Sequence, residues 1–160
     1  MAGSSVIQLM LIMNMEGAMM NAKLVTMIES YQEEKDFFGQ VSENDILAAE
    51  KSLDLRFPGE YREFIREYGS GGICGVDIEG IQGDKGASVV GATERYRRLG
   101  LNQAVVVLQD MGESVMCMDT SDDDEKVYSW DRVRKQLQPR YPSFHEYLLD
   151  YFQEGIDNML

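Results

Sequence analysis

The sequence predicts an α+β fold: a central, mainly antiparallel sheet of about four to six strands with helices before and after it. Three observations lead to this class. Three stretches with helical apolar spacing precede the first strand-like run, consecutive strand-like runs are joined by short polar turns, and a capped amphipathic helix closes the chain. Helices gathered at both ends of a strand meander do not make the alternating units of a parallel sheet.

Taken in order, Leu24, Met27, Ile28 and Tyr31 recur at i, i+3, i+4 and i+7 and predict a first helix over about 21–37, ended by Gly39. Ser42 offers a capping oxygen to a second helix, with Asp45 three residues on as an imperfect partner. Ile46, Ala49 and Leu53 form its apolar stripe, and it runs to about Ser52. Pro58 has a fixed φ suited to a first helical position and opens a third helix. Tyr61, Phe64, Ile65 and Tyr68 share one face of it, and Gly69 is its left-handed stop. After Gly69-Ser70-Gly71-Gly72, the alternation of Cys74, Val76 and Ile78 with Gly75, Asp77 and Glu79 predicts a half-buried strand with an acidic open face.

Residues 80–86 read as loop, and Val89, Ala92, Tyr96 and Leu99 as a fourth helix stopped by Gly100. The unbroken apolar run from Ala104 to Leu108 has the pattern of a central strand. Asp110-Met111-Gly112-Glu113 is a hairpin turn. Ser114 to Asp119 and Lys126 to Trp130 are two further strands, joined by the acidic stretch Thr120 to Glu125. Ser143 and Glu146 form a capping box for a last helix that buries Phe144, Tyr147, Leu148 and either Tyr151 or Phe152.

With 160 residues, 44% hydrophobic and 27% charged, the composition is that of a globular chain. A domain of this length buries about 70% of its unfolded surface, so one core suffices and residues 21–160 read as a single domain. Residues 1–20 read as a poorly ordered leader or a start-site artefact, since six methionines lie between Met1 and Met20 and translation could begin at Met15, Met19 or Met20. The apolar run from Val6 to Met13 has no preceding Lys or Arg and no small-residue cleavage site after it, so it fails as a secretory signal, and it is too short to span a bilayer. A cytoplasmic protein is expected. Cys74 and Cys117 both sit in apolar runs, which predicts buried free thiols in a reducing compartment, although the sequence leaves a disulfide open.

Lys and Arg total 15 against 28 Asp and Glu, a formal net charge of −13 and a pI near 4.4. That sign repels phosphate backbones and anionic membranes. The only basic clusters are Arg95, Arg97 and Arg98, and Arg132, Arg134 and Lys135. A negative field speeds encounter with a cationic partner, and it serves solubility equally well.

Catalytic patterns are missing. The sole histidine, His145, occupies an ordinary position on the last helix, and Cys and His have no zinc-ligand spacing. Read as an EF-hand from Asp119, the acidic stretch places Asp124 where glycine is needed and Trp130 where the bidentate glutamate is needed, so it reads as a solvated hairpin tip. Gly69-Ser70-Gly71-Gly72 runs from helix to strand, the reverse of a phosphate-binding loop, and no G-x-S-x-G elbow occurs. The chain is therefore expected to be no enzyme and to need no metal or cofactor.

Leu55-Arg56-Phe57-Pro58-Gly59-Glu60-Tyr61-Arg62-Glu63-Phe64-Ile65 followed by Tyr68-Gly69-Ser70-Gly71-Gly72 resembles the signature of the SUKH superfamily, and the likeness runs over about residues 24–155. The resemblance implies an α+β fold without catalytic residues. Its bacterial members are mostly immunity proteins that neutralise toxin domains, often nucleases, and its eukaryotic members include regulators of cell-wall synthesis. It names no interface. Charge supplies a candidate one, because carboxylates can occupy the cationic face a nuclease must present: Asp77, Glu79, Asp110, Glu113 and Asp122, Asp123 and Asp124, all placed on one predicted sheet. Trp130 is an aromatic hot-spot candidate, with a place in the core favoured over it. The partner expected is thus a cognate, basic protein toxin, and the alternative is a non-catalytic regulatory or scaffold adaptor on the same fold.

Overall fold

The computed structural model describes residues 20–160. In chain order these form helices α1 (Ala22–Tyr31), α2 (Glu43–Leu53) and α3 (Gly59–Tyr68), a 3-10 turn (Gly83–Lys85) and helix α4 (Ser88–Arg97). Strands β1 (Val105–Asp110), β2 (Ser114–Asp119), β3 (Val127–Asp131) and β4 (Leu137–Tyr141) follow, and helix α5 (Phe144–Met159) closes the chain. The strands form a four-stranded antiparallel meander in the order β1-β2-β3-β4, so the fold is α+β. The leader assigned to residues 1–20 lies, apart from Met20, outside the described residues; Met20 packs against the main core.

Strand alternation divides the interior in two. Val106, Leu108, Met116, Met118 and Val127 join the main core with Phe64, Phe144, Leu148 and Phe152, to which α1 adds Leu24 and Ile28 and α2 adds Ile46 and Leu53. Val105, Val107, Val115, Cys117 and Trp130 face the other way and pack with Ala92 and Tyr96 of α4. A fully buried Val, Leu or Phe contributes about 1.5–3 kcal/mol, so both faces of β1 and β2 are strongly committed.

This two-sided burial corrects one expectation. The apolar run at 104–108 marks a strand covered on both faces, yet β1 lies at the sheet edge and not at its centre. Its outer edge is closed by other means. Thr93 Oγ1 on α4 accepts the Val107 N–H at 3.0 Å, and the Leu108 carbonyl accepts the Glu79 N–H at 2.8 Å beside a bulge between Val107 and Gln109.

The strand predicted over 74–79 is absent. Cys74 (φ 52°) and Gly75 (φ 84°) turn left-handed and fold the segment back, so that Ile78 meets Gly71 in an isolated bridge. The first helix also stops earlier than predicted. Gln32 becomes extended, the Asp36 carboxylate accepts the Glu33 N–H at 2.7 Å, and Phe37 leaves to pair with Gly71. In place of the missing strand, the sheet gains β4 (Leu137–Tyr141). Its Pro139 and exposed Gln138 and Arg140 hide it from pattern reading and suit only an edge strand. Pro58 takes the cap position before α3 instead of its first turn, whereas Ser42 and Ser143 cap as predicted, each hydroxyl accepting an N–H at 3.2 Å. Both cysteines are free; Cys117 is buried and Cys74 half-buried. Among the described residues no helix is long and apolar enough to cross a membrane.

Glycines let three chain segments cross backbone to backbone beside α3. Gly71 exchanges hydrogen bonds with Ile78 at 2.9 and 3.1 Å while Gly72 N–H reaches the Asp36 carbonyl at 3.1 Å. A Cβ on Gly71 would lie 2.0 Å from the Asp36 oxygen at a φ of +104°. Gly71→Ala should therefore cost about 3 kcal/mol or more in urea unfolding. Gly91→Ala, which meets open space on helix α4, should gain about 0.5–1 kcal/mol.

Candidate partner-binding surface

The course of β2 separates the predicted acidic residues into two groups. Asp110 and Glu113 lie at the β1–β2 hairpin, and Asp77 and Glu79 join them because the Glu79 N–H is bonded to Leu108. Asp122, Asp123 and Asp124 lie at the other end of β2, in its connection to β3. The six residues of β2 hold the groups about 17 Å apart. Asp77 and Glu79 do not project from a strand, because their segment is irregular.

At the hairpin end Asp110 is engaged within the protein. Its carboxylate accepts the Tyr96 hydroxyl at 2.7 Å and the Gly112 N–H at 2.9 Å, and pairs with Arg95 at 3.3 Å. Burial opposes ionisation there, but these partners outweigh it and hold the carboxyl below its usual range. Glu79 is half-buried, and burial pushes its carboxyl up, partly offset by Ser88. Asp77 and Glu113 are exposed.

At the far end Asp122 and Asp123 are exposed while their neighbours hold the loop. Asp119 accepts the Ser121 N–H at 3.0 Å and Asp124 the Lys126 N–H at 3.2 Å. Glu125 reaches the start of α3, its two oxygens accepting Gly59 N–H at 3.0 Å and Glu60 N–H at 3.3 Å. Pro58 has no side-chain acceptor for these amides, so Glu125 supplies the helix cap from 66 residues away. Sequence reading left Glu125 as part of a solvated tip. A proline at a cap position signals that an acceptor is needed but not where it comes from. Among the described residues no group of three or more His, Cys, Asp and Glu is placed to hold a metal ion.

Trp130 is 3% exposed and meets Tyr96 edge-on at 6.1 Å, so it belongs to the second core and offers no surface to a partner. His145 is likewise buried. Its backbone N–H donates to Glu60 at 2.9 Å, and burial lowers the imidazole pKa against the opposing pull of Glu60.

Most ion pairs lie away from the candidates. Arg62 bridges Glu43 and Glu50, and Arg66 bridges Glu43 and Glu63, tying α2 to α3. Among the described residues Asp77, Glu79, Glu113, Asp122, Asp123 and Asp124 make no ion pair within 4.0 Å. Six carboxylates at the two ends of one sheet are thus left without an ion pair among the described residues.

A family model described as SUKH_5, SMI1-KNR4 cell-wall, matches residues 22–153, from the start of α1 into α5. The chain belongs to the SUKH family. Its proteins are generally non-catalytic immunity or regulatory proteins, and toxin-immunity proteins are among them. The aromatic and glycine residues of the SUKH signature build the interior. Phe57 and Phe144 both meet Tyr61 edge-on, at 5.4 and 5.3 Å, and the Tyr61 hydroxyl donates to the Glu79 carbonyl at 2.6 Å. Gly71 and Gly72 serve the crossing described above. The SUKH signature therefore specifies the scaffold, and the acidic ends are outside it.

Two expected outcomes follow from these contacts. Glu125→Ala removes the α3 cap and should cost about 0.5–2 kcal/mol by urea denaturation. Hydrogen bonds from Arg62 and Arg66 hold the Glu43 carboxyl at about 2, against 4.5 when unperturbed. A carboxyl depressed by folding stabilises above its unfolded pKa, and that stability is lost as pH falls through the folded value. Melting temperature should fall between pH 4.5 and about 2, and Glu43→Gln should flatten that part of the profile.

Proposed function

We propose that this SUKH chain is an immunity protein that binds a cognate bacterial toxin domain and neutralises it by covering a basic surface with an acidic one. The observation that carries the reading is the set of unpaired carboxylates at the sheet ends, on a protein of net charge −13 within a family that includes toxin-immunity proteins. A nuclease is the class of toxin that fits best, since binding phosphate requires a cationic face. Carboxylates set against that face give fast, steered association and charge-assisted hydrogen bonds. They also displace the substrate, so inhibition requires no chemistry from the inhibitor. The complex forms in the cytoplasm, where such a toxin meets nucleic acid.

The reading expects a toxin domain to be encoded beside this gene, and the test is co-expression with that domain. Growth should be restored, and unchanged killing would overturn the proposal; several weak partners in a pull-down, without one tight one, would favour the adaptor reading. With the purified pair, the association rate should drop on the order of tenfold or more between 0.01 and 0.15 M salt, as the screening length shortens from about 30 to about 8 Å. A salt-independent rate would point to an apolar interface.

A further inference from the structure

The two acidic ends do not offer a cationic partner the same reception. Beside Asp110 lies a hollow of about 380 Å³ lined by Arg95, Arg98 and Arg132, and Asp110 is already bound to Arg95, Tyr96 and Gly112. Within that hollow three guanidinium groups around one engaged carboxylate oppose an incoming cation, and the acidic Asp77, Glu79 and Glu113 of the same end lie outside its lining.

The other end borders a groove of about 760 Å³ between the α2–α3 turn and the β2–β3 loop, within the size range of built ligand sites. Leu55 and Pro58, with the buried Phe57 behind them, give it an apolar wall. Asp54, at the end of α2, and the exposed Asp122 and Asp123 give it an acidic rim. Such a pairing matches the chemistry of a long cationic side chain, whose methylene stem seeks apolar surface while its head stays charged. Within the groove Arg62 is neutralised by Glu43 and Glu50, whereas Arg56 is exposed and makes no ion pair within 4.0 Å among the described residues.

We propose that this groove, and not the hairpin end, is where the basic partner docks. It seats one lysine or arginine with its stem on the half-buried Leu55 and Pro58 and its head between the carboxylates of the rim. The proposal rests on the reading that the partner is a cationic protein. Arg56 then acts as a built-in brake, since its charge opposes the incoming one. This fixes the sign of its substitution in a way no structural role would.

The probe is the blocked peptide acetyl-Gly-Arg-Gly-amide, titrated into the full chain at low salt and followed by amide NMR, with the citrulline peptide as an uncharged match. Saturable shifts should gather at residues 54–59, 102–104 and 120–125. Asp122→Asn and Asp123→Asn should each weaken binding about twofold to fivefold, and Arg56→Gln should tighten it by a similar factor. Glu34→Gln and Glu67→Gln, at exposed carboxylates outside the groove, should leave it unchanged. Shifts centred on residues 77–79 and 110–113, shifts spread evenly over the acidic surface, equal binding of the citrulline peptide, no saturable shift, or weaker binding by Arg56→Gln would each overturn the proposal. With a toxin in hand the two readings separate. Protection unaffected by Asp122→Asn/Asp123→Asn sinks the groove and spares the immunity reading, while groove binding of the peptide without any protective effect supports the groove and sinks the immunity reading.

Discussion

Strand β1 is apolar on both faces, and much of the architecture follows from the need to cover it. Val106 and Leu108 demand one layer and Val105 and Val107 another. Helices α3 and α5 complete the first and α4 the second, so a four-stranded meander becomes the middle of a sandwich. Because β1 also ends the sheet, its free edge needs polar partners. Thr93 and the backbone of Glu79 provide them. The glycine crossing at Gly71 exists to bring that second partner into reach, since only residues without a Cβ allow segments 36–37, 69–72 and 78–81 to touch.

The same constraint determines where charge can go. With both faces of β1 and β2 committed to helices, the acidic residues around them are displaced to the two ends of the strands, where turns meet water. At one end the carboxylates become structural: Asp110 holds Tyr96 and the hairpin together. At the other, Asp119, Asp124 and Glu125 spend their oxygens on backbone amides and leave Asp122 and Asp123 exposed on a loop fixed in place. A loop held in this way loses little entropy when a partner arrives. Stability and recognition are thus divided between neighbouring residues of one acidic run.

Much of this was legible from residue order. Apolar spacing located the helices, Ser42 and Ser143 announced their caps, and Phe57, Pro58, Tyr61 and the paired glycines carried the family resemblance. The errors share a cause. Cys74 to Glu79 alternates like a strand, but the left-handed turn at Cys74 and Gly75 bends it around a contact with Gly71. Leu137 to Tyr141 fails to alternate, yet β3 recruits it, because an edge strand tolerates proline and polar side chains. In each case a distant segment overrode local preference.

Local sequence determined what depends on neighbours along the chain: helix periodicity, serine caps, the absence of a catalytic motif and the net charge of −13. Tertiary structure alone decided what depends on residues far apart. It set Trp130, whose place in the core the sequence favoured, against Tyr96, turned Glu125 into the cap of a helix 66 residues earlier, and split one list of acidic residues between an arginine-lined hollow and a groove with an apolar wall. The physical reason is range. Propensity and capping act within about one helical turn, whereas burial and electrostatic environment are set by whichever segments the fold brings within a few ångströms.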